Sequence, residues 1–149
     1  MSVTFLPDGN ILDCGLQTIA IPVNCVGVAG KGLAKEAAGV YPDWLLQYVS
    51  ACKSAKVNVD KKPFIYQRRN TPMFIISFPT KREWWMPSQL VWIERGLQWL
   101  ATNGVAQGIT EMGLPQLGCG EGGLEWANVR ALIVDLFEDH PIAVTVFGA

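Results

Sequence analysis

The chain has 149 residues, half of them apolar and 17% charged, with a formal net charge of −1. That length suits a single domain, residues 1–149, with a full hydrophobic core, and the low charged fraction excludes a disordered or coiled-coil chain. No global basic field exists, so any nucleic-acid contact has to come from a local patch. Cys14, Cys25, Cys52 and Cys119 show no Cys-x-x-Cys spacing, and His140 is the one histidine. No metal site and no cofactor are therefore predicted, and reduced thiols in the cytoplasm are expected. Residues 1–7 lack the basic and apolar regions of a signal peptide. No apolar run reaches the ~18–20 residues of a membrane span, so no membrane contact is expected.

Strands and helices alternate along the chain. Residues 3–5 read as a short strand, Asp8-Gly9-Asn10 as a turn, and 18–23 as a buried strand. Ala-rich composition predicts a helix from 32 to 38. Pro42-Asp43 opens another, with Trp44, Tyr48 and Cys52 on one face. Residues 53–62 are polar and predict a surface loop. Two strands follow, 64–66 and 73–78, with 68–72 turning between them. Ser88 is the expected cap of a long helix whose apolar stripe is Leu90, Ile93, Leu97 and Leu100, ended by Asn103-Gly104. A strand at 109–112, a helix at 125–137 with Val129, Leu132, Ile133 and Leu136 facing the core, and a strand at 143–147 complete the pattern. The prediction is a layered α/β fold with a mixed sheet covered on both faces.

Two glycine-rich turns leave strands and enter helices. The first, residues 24–35, contains Gly27, Val28, Gly30, Lys31, Gly32 and Leu33. It lacks the spacing of a P-loop and the opening Gly-x-Gly of a dinucleotide fingerprint. Little side-chain bulk at a helix start lets backbone N–H groups and the helix dipole meet an anion; a tight turn without ligand is the alternative. The second, residues 114–126, formally contains G-x-G-x-x-G at 118–123. The chain ends too soon afterwards for a second nucleotide-binding half. Read together, the loops can clamp the two phosphates of one diphosphate beyond the carboxyl ends of the strands.

Five segments carry a family resemblance: Val23-Asn24-Cys25-Val26-Gly27-Val28-Ala29-Gly30-Lys31-Gly32-Leu33-Ala34; Phe78-Pro79-Thr80-Lys81-Arg82-Glu83-Trp84; Pro87-Ser88; Ile93-Glu94-x-Gly96-Leu97; and Leu114-Pro115-x-Leu117-Gly118-Cys119-Gly120-x-Gly122-Gly123-Leu124-x-Trp126. Spread over nearly the whole chain, they resemble the macrodomain, the ADP-ribose-binding α/β/α module, and more narrowly its branch of DarG antitoxins and terminal ADP-ribose glycohydrolase. The resemblance implies a three-layer α/β/α fold with a mixed sheet of about six strands. It implies that Asn24, Gly27, Val28, Gly30, Lys31, Gly32 and Leu33 hold ADP-ribose. On the second loop it implies the same for Pro115, Gly118, Cys119, Gly120, Glu121, Gly122, Gly123 and Leu124. It makes Lys81 catalytic. DarG enzymes remove ADP-ribose from a DNA base and so reverse DarT toxins, while the eukaryotic relative acts on ADP-ribosyl-glutamate.

Two departures from the pattern matter. Where the family has Gly-Asp for the adenine amino group, this chain has Gly9-Asn10-Ile11, and Asn10 can accept a hydrogen bond without charge. Where some members carry a catalytic Asp, this chain has Gly122, as in the DarG-like pattern, which favours a DNA substrate over a glutamyl one. Lys81 follows an apolar strand, and a neutral lysine amine, favoured by burial and by a neighbouring cation such as Arg82, can attack the anomeric carbon of the distal ribose. Proton donation to the ring oxygen or leaving base is the competing role. Arg82, Trp84 and Trp85, with Arg68-Arg69 nearby in sequence, are candidates for contact with a single DNA strand. Adjacent tryptophans cannot both face a core, so one is expected at the pocket mouth, with both partly buried and bracing the loop as the alternative. The expected function is hydrolysis of ADP-ribose from DNA by a monomer whose partner is a DarT-type toxin. A glutamyl hydrolase and a non-catalytic ADP-ribose reader are the alternatives.

Overall fold

The computed structural model describes residues 3–148; positions 1 and 2 of the 1–7 stretch, and residue 149, lie outside the described residues. In chain order the elements are β1 (Val3–Leu6), β2 (Thr18–Asn24), α1 (Gly32–Val40), α2 (Pro42–Lys53), β3 (Phe64–Gln67), β4 (Phe74–Lys81), α3 (Leu90–Asn103), β5 (Glu111–Leu114), α4 (Trp126–Phe137) and β6 (Ala143–Phe147). They build one six-stranded sheet in the order β1-β6-β5-β2-β4-β3. All neighbours run parallel except β3, the edge strand, which is antiparallel to β4.

The period-2 geometry of a strand divides the apolar residues between two cores. Along β4, Phe74, Ile76 and Phe78 face the α3/α4 side, while Ile75 faces the α1/α2 side. Ile19, Ile21 and Val23 of β2 face the α1/α2 side and Ala20 the other. Because both faces are buried, these strands read in sequence as nearly continuous apolar runs. The result is the expected three-layer α/β/α arrangement. Among the described residues, no helix is long and apolar enough to cross a membrane.

Local sequence explains most element ends. Pro42 at the start of α2 gives up a donor that would have no intrahelical acceptor. Asp43 in the first turn and Lys53 in the last complement the helix dipole. Several expectations change. Ser88 does not cap α3: the N-cap is Gln89, without a side-chain bond, and Ser88 is instead tied by its N–H to the Gly122 carbonyl. Leu90 is exposed, and Trp92 and Gly96 join Ile93, Leu97 and Leu100 on the buried face. The polar stretch 53–62 is not merely surface, because Val57 and Val59 are buried, Val57 in the α1/α2 core. Strand β4 also runs on to Lys81, and β5 begins at Glu111, two residues later than the apolar pattern indicates.

Gly96 of α3 lies on the fully buried ring of Phe78 in β4. A Cβ at that position would come within 2.8 and 2.9 Å of the two Cε atoms and closer still to Cζ. Gly→Ala in a helix interior normally stabilises by about 0.5–1 kcal/mol. Here the overpacking of the core reverses the sign. Gly96→Ala is expected to destabilise by ~1–3 kcal/mol, read as a fall of several degrees in Tm; an unchanged or raised Tm would show that the layers can part without cost.

Candidate functional site

The chain leaves β2 towards α1 on one face and leaves β5 towards α4 on the other, although β2 and β5 are sheet neighbours. A crevice must open where neighbouring strands part in opposite directions, at their carboxyl ends. Two prolines stand at the neighbouring β2–β4 strand ends. Pro22 in β2 stands opposite Phe78, and Pro79 in β4 opposite Val23, so both strands lack a donor near their ends. The β2–β4 register then slips between Val23 and Asn24, which brings Asn24 opposite Lys81. Over this point lies a cleft of about 610 Å³. Pro22, Val23, Asn24 and Thr80 form its base; the two glycine loops wall it; and Lys81, Trp84 and Trp85 complete its lining.

The first loop is organised by one side chain. Asn24 is 8% exposed, and its Oδ1 accepts from the N–H groups of Val26, Gly27 and Val28 at 3.1, 3.1 and 3.3 Å. Its Nδ2 donates to the Val28 carbonyl at 2.8 Å. The hydroxyl of fully buried Tyr48 lies 2.8 Å from the Asn24 carbonyl oxygen and 2.9 Å from Oδ1. Those three N–H groups are thus turned inward and cannot serve an anion. The open donors are those of the first turn of α1, where Gly32, Leu33 and Ala34 have no intrahelical acceptor and Lys31 provides no side-chain cap. Val28, Gly30, Lys31, Gly32, Leu33 and Ala34 line the cleft; Gly27 does not. Gly27 is required for its φ of +85° at the Asn24-centred turn.

The second loop is held by its own backbone and by Ser88, just ahead of α3. Cys119 N–H bonds to the Gln116 carbonyl, Gly123 to Gly120, and Leu124 to Gly118. Gln116, Gly118, Gly120, Glu121 and Gly122 line the cleft, while Pro115, Cys119, Gly123 and Leu124 do not. Gly120 and Gly122 differ sharply. A Cβ on Gly120 would meet nothing within 4 Å. On Gly122 it would come within 2.9 Å of the Ser88 Cβ and closer still to the Ser88 hydroxyl and the Gly118 carbonyl. The Ser88 Oγ is buried with no hydrogen-bond partner among the described residues, so it acts here by shape.

Lys81 is half-buried, and its Nζ donates to the Trp84 carbonyl oxygen at 3.3 Å. Arg82 is not beside it in space as it is in sequence. Its guanidinium pairs with Asp60 at 2.9 Å and sits 5.3 Å from the centre of the Trp92 ring, outside the cleft lining. Successive side chains of an extended segment point to opposite sides, which is the reason. Arg68 is also distant, paired with Asp43 at 2.8 Å beyond the far end of β3. Both tryptophans are exposed, Trp84 at 50% and Trp85 at 62%, packed edge to face at 5.3 Å, so neither is a core residue.

Asn10 and Ile11 do not line the cleft. The Asn10 Oδ1 accepts from Leu12 N–H at 3.0 Å, and Ile11 is buried. The cysteine thiols are not activated as nucleophiles. Burial pushes the Cys25 and Cys119 thiols above their ordinary range and Cys52 up to about 11, so all three stay protonated at neutral pH. Pro22, Val23, Ala34, Thr80 and Gln116 complete the lining without having been singled out from sequence. Val23, Ala34 and Thr80 lie within the segments that carry the resemblance and Pro22 adjoins one; Gln116 carried no local signal. Among the described residues no group of His, Cys, Asp or Glu is arranged to hold a metal.

A three-layer α/β/α module with a switch-point cleft between two glycine loops is the architecture of a nucleotide-binding domain. A family model for the Macro domain matches residues 20–133, and the chain belongs to that family. It is similar to the macrodomain of Thermus aquaticus DarG, at 34% identity and a TM-score of 0.90 over 97% of both chains. The structure of Thermosipho africanus DarTG in complex with ADP-ribose superposes with a TM-score of 0.88 at 34% identity, covering 93% of this chain and 39% of that one. The DNA ADP-ribosyl glycohydrolase of Mycobacterium tuberculosis is 36% identical over 135 residues, 89% of this chain and 38% of the relative. The chain spans about two fifths of the length of the curated relatives it matches over most of its own.

The two glycines of the second loop give opposite expectations. Gly122→Ala should lower Tm by several degrees, while Gly120→Ala should leave it within about a degree, in the same thermal scan. Asn24→Ala strands three loop N–H groups and should cost ~2–3 kcal/mol in denaturant unfolding. An Asn24→Ala protein of unchanged stability would mean that the first loop is held by something else.

Proposed function

We propose that this macrodomain binds ADP-ribose in the 610 Å³ cleft and removes it from ADP-ribosylated DNA bases, with Lys81 as the catalytic residue. The observation that carries the reading is the position of Lys81. The strand-end slip sets it opposite Asn24, in one cleft with the open donors of α1 and the Gly118–Gly122 segment. The names of the M. tuberculosis and T. aquaticus relatives, both DNA ADP-ribosyl glycohydrolases, support the reaction class. The T. africanus relative is named as a fusion of a DNA ADP-ribosyl transferase with such a glycohydrolase, which supports a DarT-type transferase as the source of the substrate.

The diphosphate lies between the α1 start and the second loop, where unpartnered N–H groups and the helix dipole meet its charge. The distal ribose then faces Lys81. In the covalent route, the neutral Lys81 amine adds to the anomeric carbon as the bond to the DNA base breaks. The electron pair leaves with the base, which takes up a proton. Ring opening gives a protonated Schiff base, and water hydrolyses it to ADP-ribose and the free amine. In the acid route, the Lys81 ammonium donates its proton to the ring oxygen or the departing base, and water supplies the new bond at the anomeric carbon. The exposed Trp84 and Trp85 faces at the cleft suit stacking of an unpaired base, which supports a single-stranded substrate.

A glutamyl substrate is disfavoured by Gly122. No side chain fits there, so the carboxylate that other members place in this loop has no room. Incubation with ADP-ribosyl-thymidine, ADP-ribosyl-guanosine and ADP-ribosyl-glutamate side by side tests the choice.

Two variants separate binding from chemistry. Gly120→Val should stay folded yet lose ADP-ribose affinity in calorimetry, because its side chain projects into the cleft. Lys81→Ala should keep ADP-ribose binding and lose at least ~10²-fold in turnover, and Lys81→Arg should be nearly as inactive. A borohydride-stable adduct on Lys81 marks the covalent route, and its absence with full turnover marks the acid. Full activity of Lys81→Ala would sink both mechanisms. A wild type inactive on all three substrates that still binds ADP-ribose would be a reader.

A further inference from the structure

A second hollow, of about 460 Å³, lies on the flank of the sheet where segment 54–63 passes between edge strand β3 and helix α3. Its charged lining residues are Lys56, Lys61 and Lys62, and no carboxylate lines it. Trp99 and Phe64 supply apolar wall. All three lysines are exposed, and none takes part in the ion pairs among the described residues. Lys62 Nζ sits 5.5 Å from the centre of the Trp99 ring, and Lys61 Nζ reaches the Ala55 carbonyl at 3.4 Å. Three like charges around one hollow repel each other unless an anion lies among them.

The hollow is built on fixed backbone. Val57 and Val59 anchor the segment in the core, and Asp60 holds it by both carboxylate oxygens, to Arg82 at 2.9 Å and Arg95 at 2.8 Å. These pairs also connect it to the first cleft. Arg82 follows Lys81 in sequence, and Arg95 lies one helical turn, ~6 Å, before Trp99 on α3.

We propose that this hollow holds the sugar–phosphate backbone of the DNA strand that flanks the modified nucleotide. The proposal rests on the DNA reading given above. Lysine ammoniums are compact point charges that suit phosphates in any register, whereas carboxylates of an acidic peptide are better met by the arginine fork. With the base splayed into the first cleft, the strand continues past Lys81 and the Asp60 pairs onto the lysines. The contact is independent of sequence and is driven by counterion release.

The test uses fluorescein-labelled, unmodified single-stranded DNA of 15 nucleotides, with anisotropy measured from 25 to 200 mM KCl. The protein is the wild type or the combined variant Lys56→Gln, Lys61→Gln, Lys62→Gln. The variant should bind ~10-fold more weakly at low salt. Its log–log salt slope should be shallower by about 2, from three phosphate contacts at ~0.7 each. Its affinity for free ADP-ribose should not change. Equal DNA affinity and slope in the two proteins, or no DNA binding by the wild type, would overturn the proposal. DNA binding that depends on the lysines in a protein that cleaves no ADP-ribosylated DNA would uphold the hollow and remove the hydrolase reading.

Discussion

A single buried amide sets the geometry on which the site depends. By drawing three loop N–H groups inward, the Asn24 side chain fixes the path of the first loop and delivers the chain to the start of α1. The amide is itself fixed from below. The Tyr48 hydroxyl lies against its oxygen and against the Asn24 main-chain carbonyl, and the Tyr48 ring stacks on Trp44 at 5.3 Å. Trp44 in turn donates to the Ser77 hydroxyl of β4 at 3.0 Å. Helix α2 lines no part of the cleft, yet it carries the constraint from the sheet to the loop.

The two loops solve one problem by different means. A turn that leaves several N–H groups pointing outward must satisfy the rest internally. The first does so with a side-chain acceptor. The second uses backbone turns braced against Ser88, which leaves space for little more than main chain. Lys81 stands on neither loop. Mounted at the end of a strand inside the sheet, it is placed by ladder geometry, and movement of either loop need not displace it.

Much of this was legible in the sequence because each face of the sheet is buried. Continuous apolar runs, alternating with helical stripes, lead directly to a layered α/β fold, and the glycine turns mark where its cleft opens. What depended on distant partners was hidden. Ser is a common helix cap, and nothing near Ser88 reveals that Gly122 sits upon it. The start of β5 follows from its register with β6, Glu111 opposite Ala143, which no local pattern contains. Gly27 and Gly30 look equivalent in the chain, and the Asn24 hydrogen bonds divide them into a turn-forming and a cleft-lining residue. That Arg82 points away from Lys81 was legible, because extended-chain alternation turns the two side chains to opposite sides.

The crowding at Gly122 has an evolutionary consequence. A carboxylate gained there meets the Gly118 main chain as well as Ser88, so removing the serine side chain would relieve only part of the conflict. The backbone between 118 and 122 must first take another path. Enzymes that share the catalytic work between a lysine and a loop aspartate are therefore separated from this chain by more than one substitution. The intermediates would have neither a well-formed loop nor the new carboxylate in place. Selection acting one residue at a time would hold the two kinds of site apart.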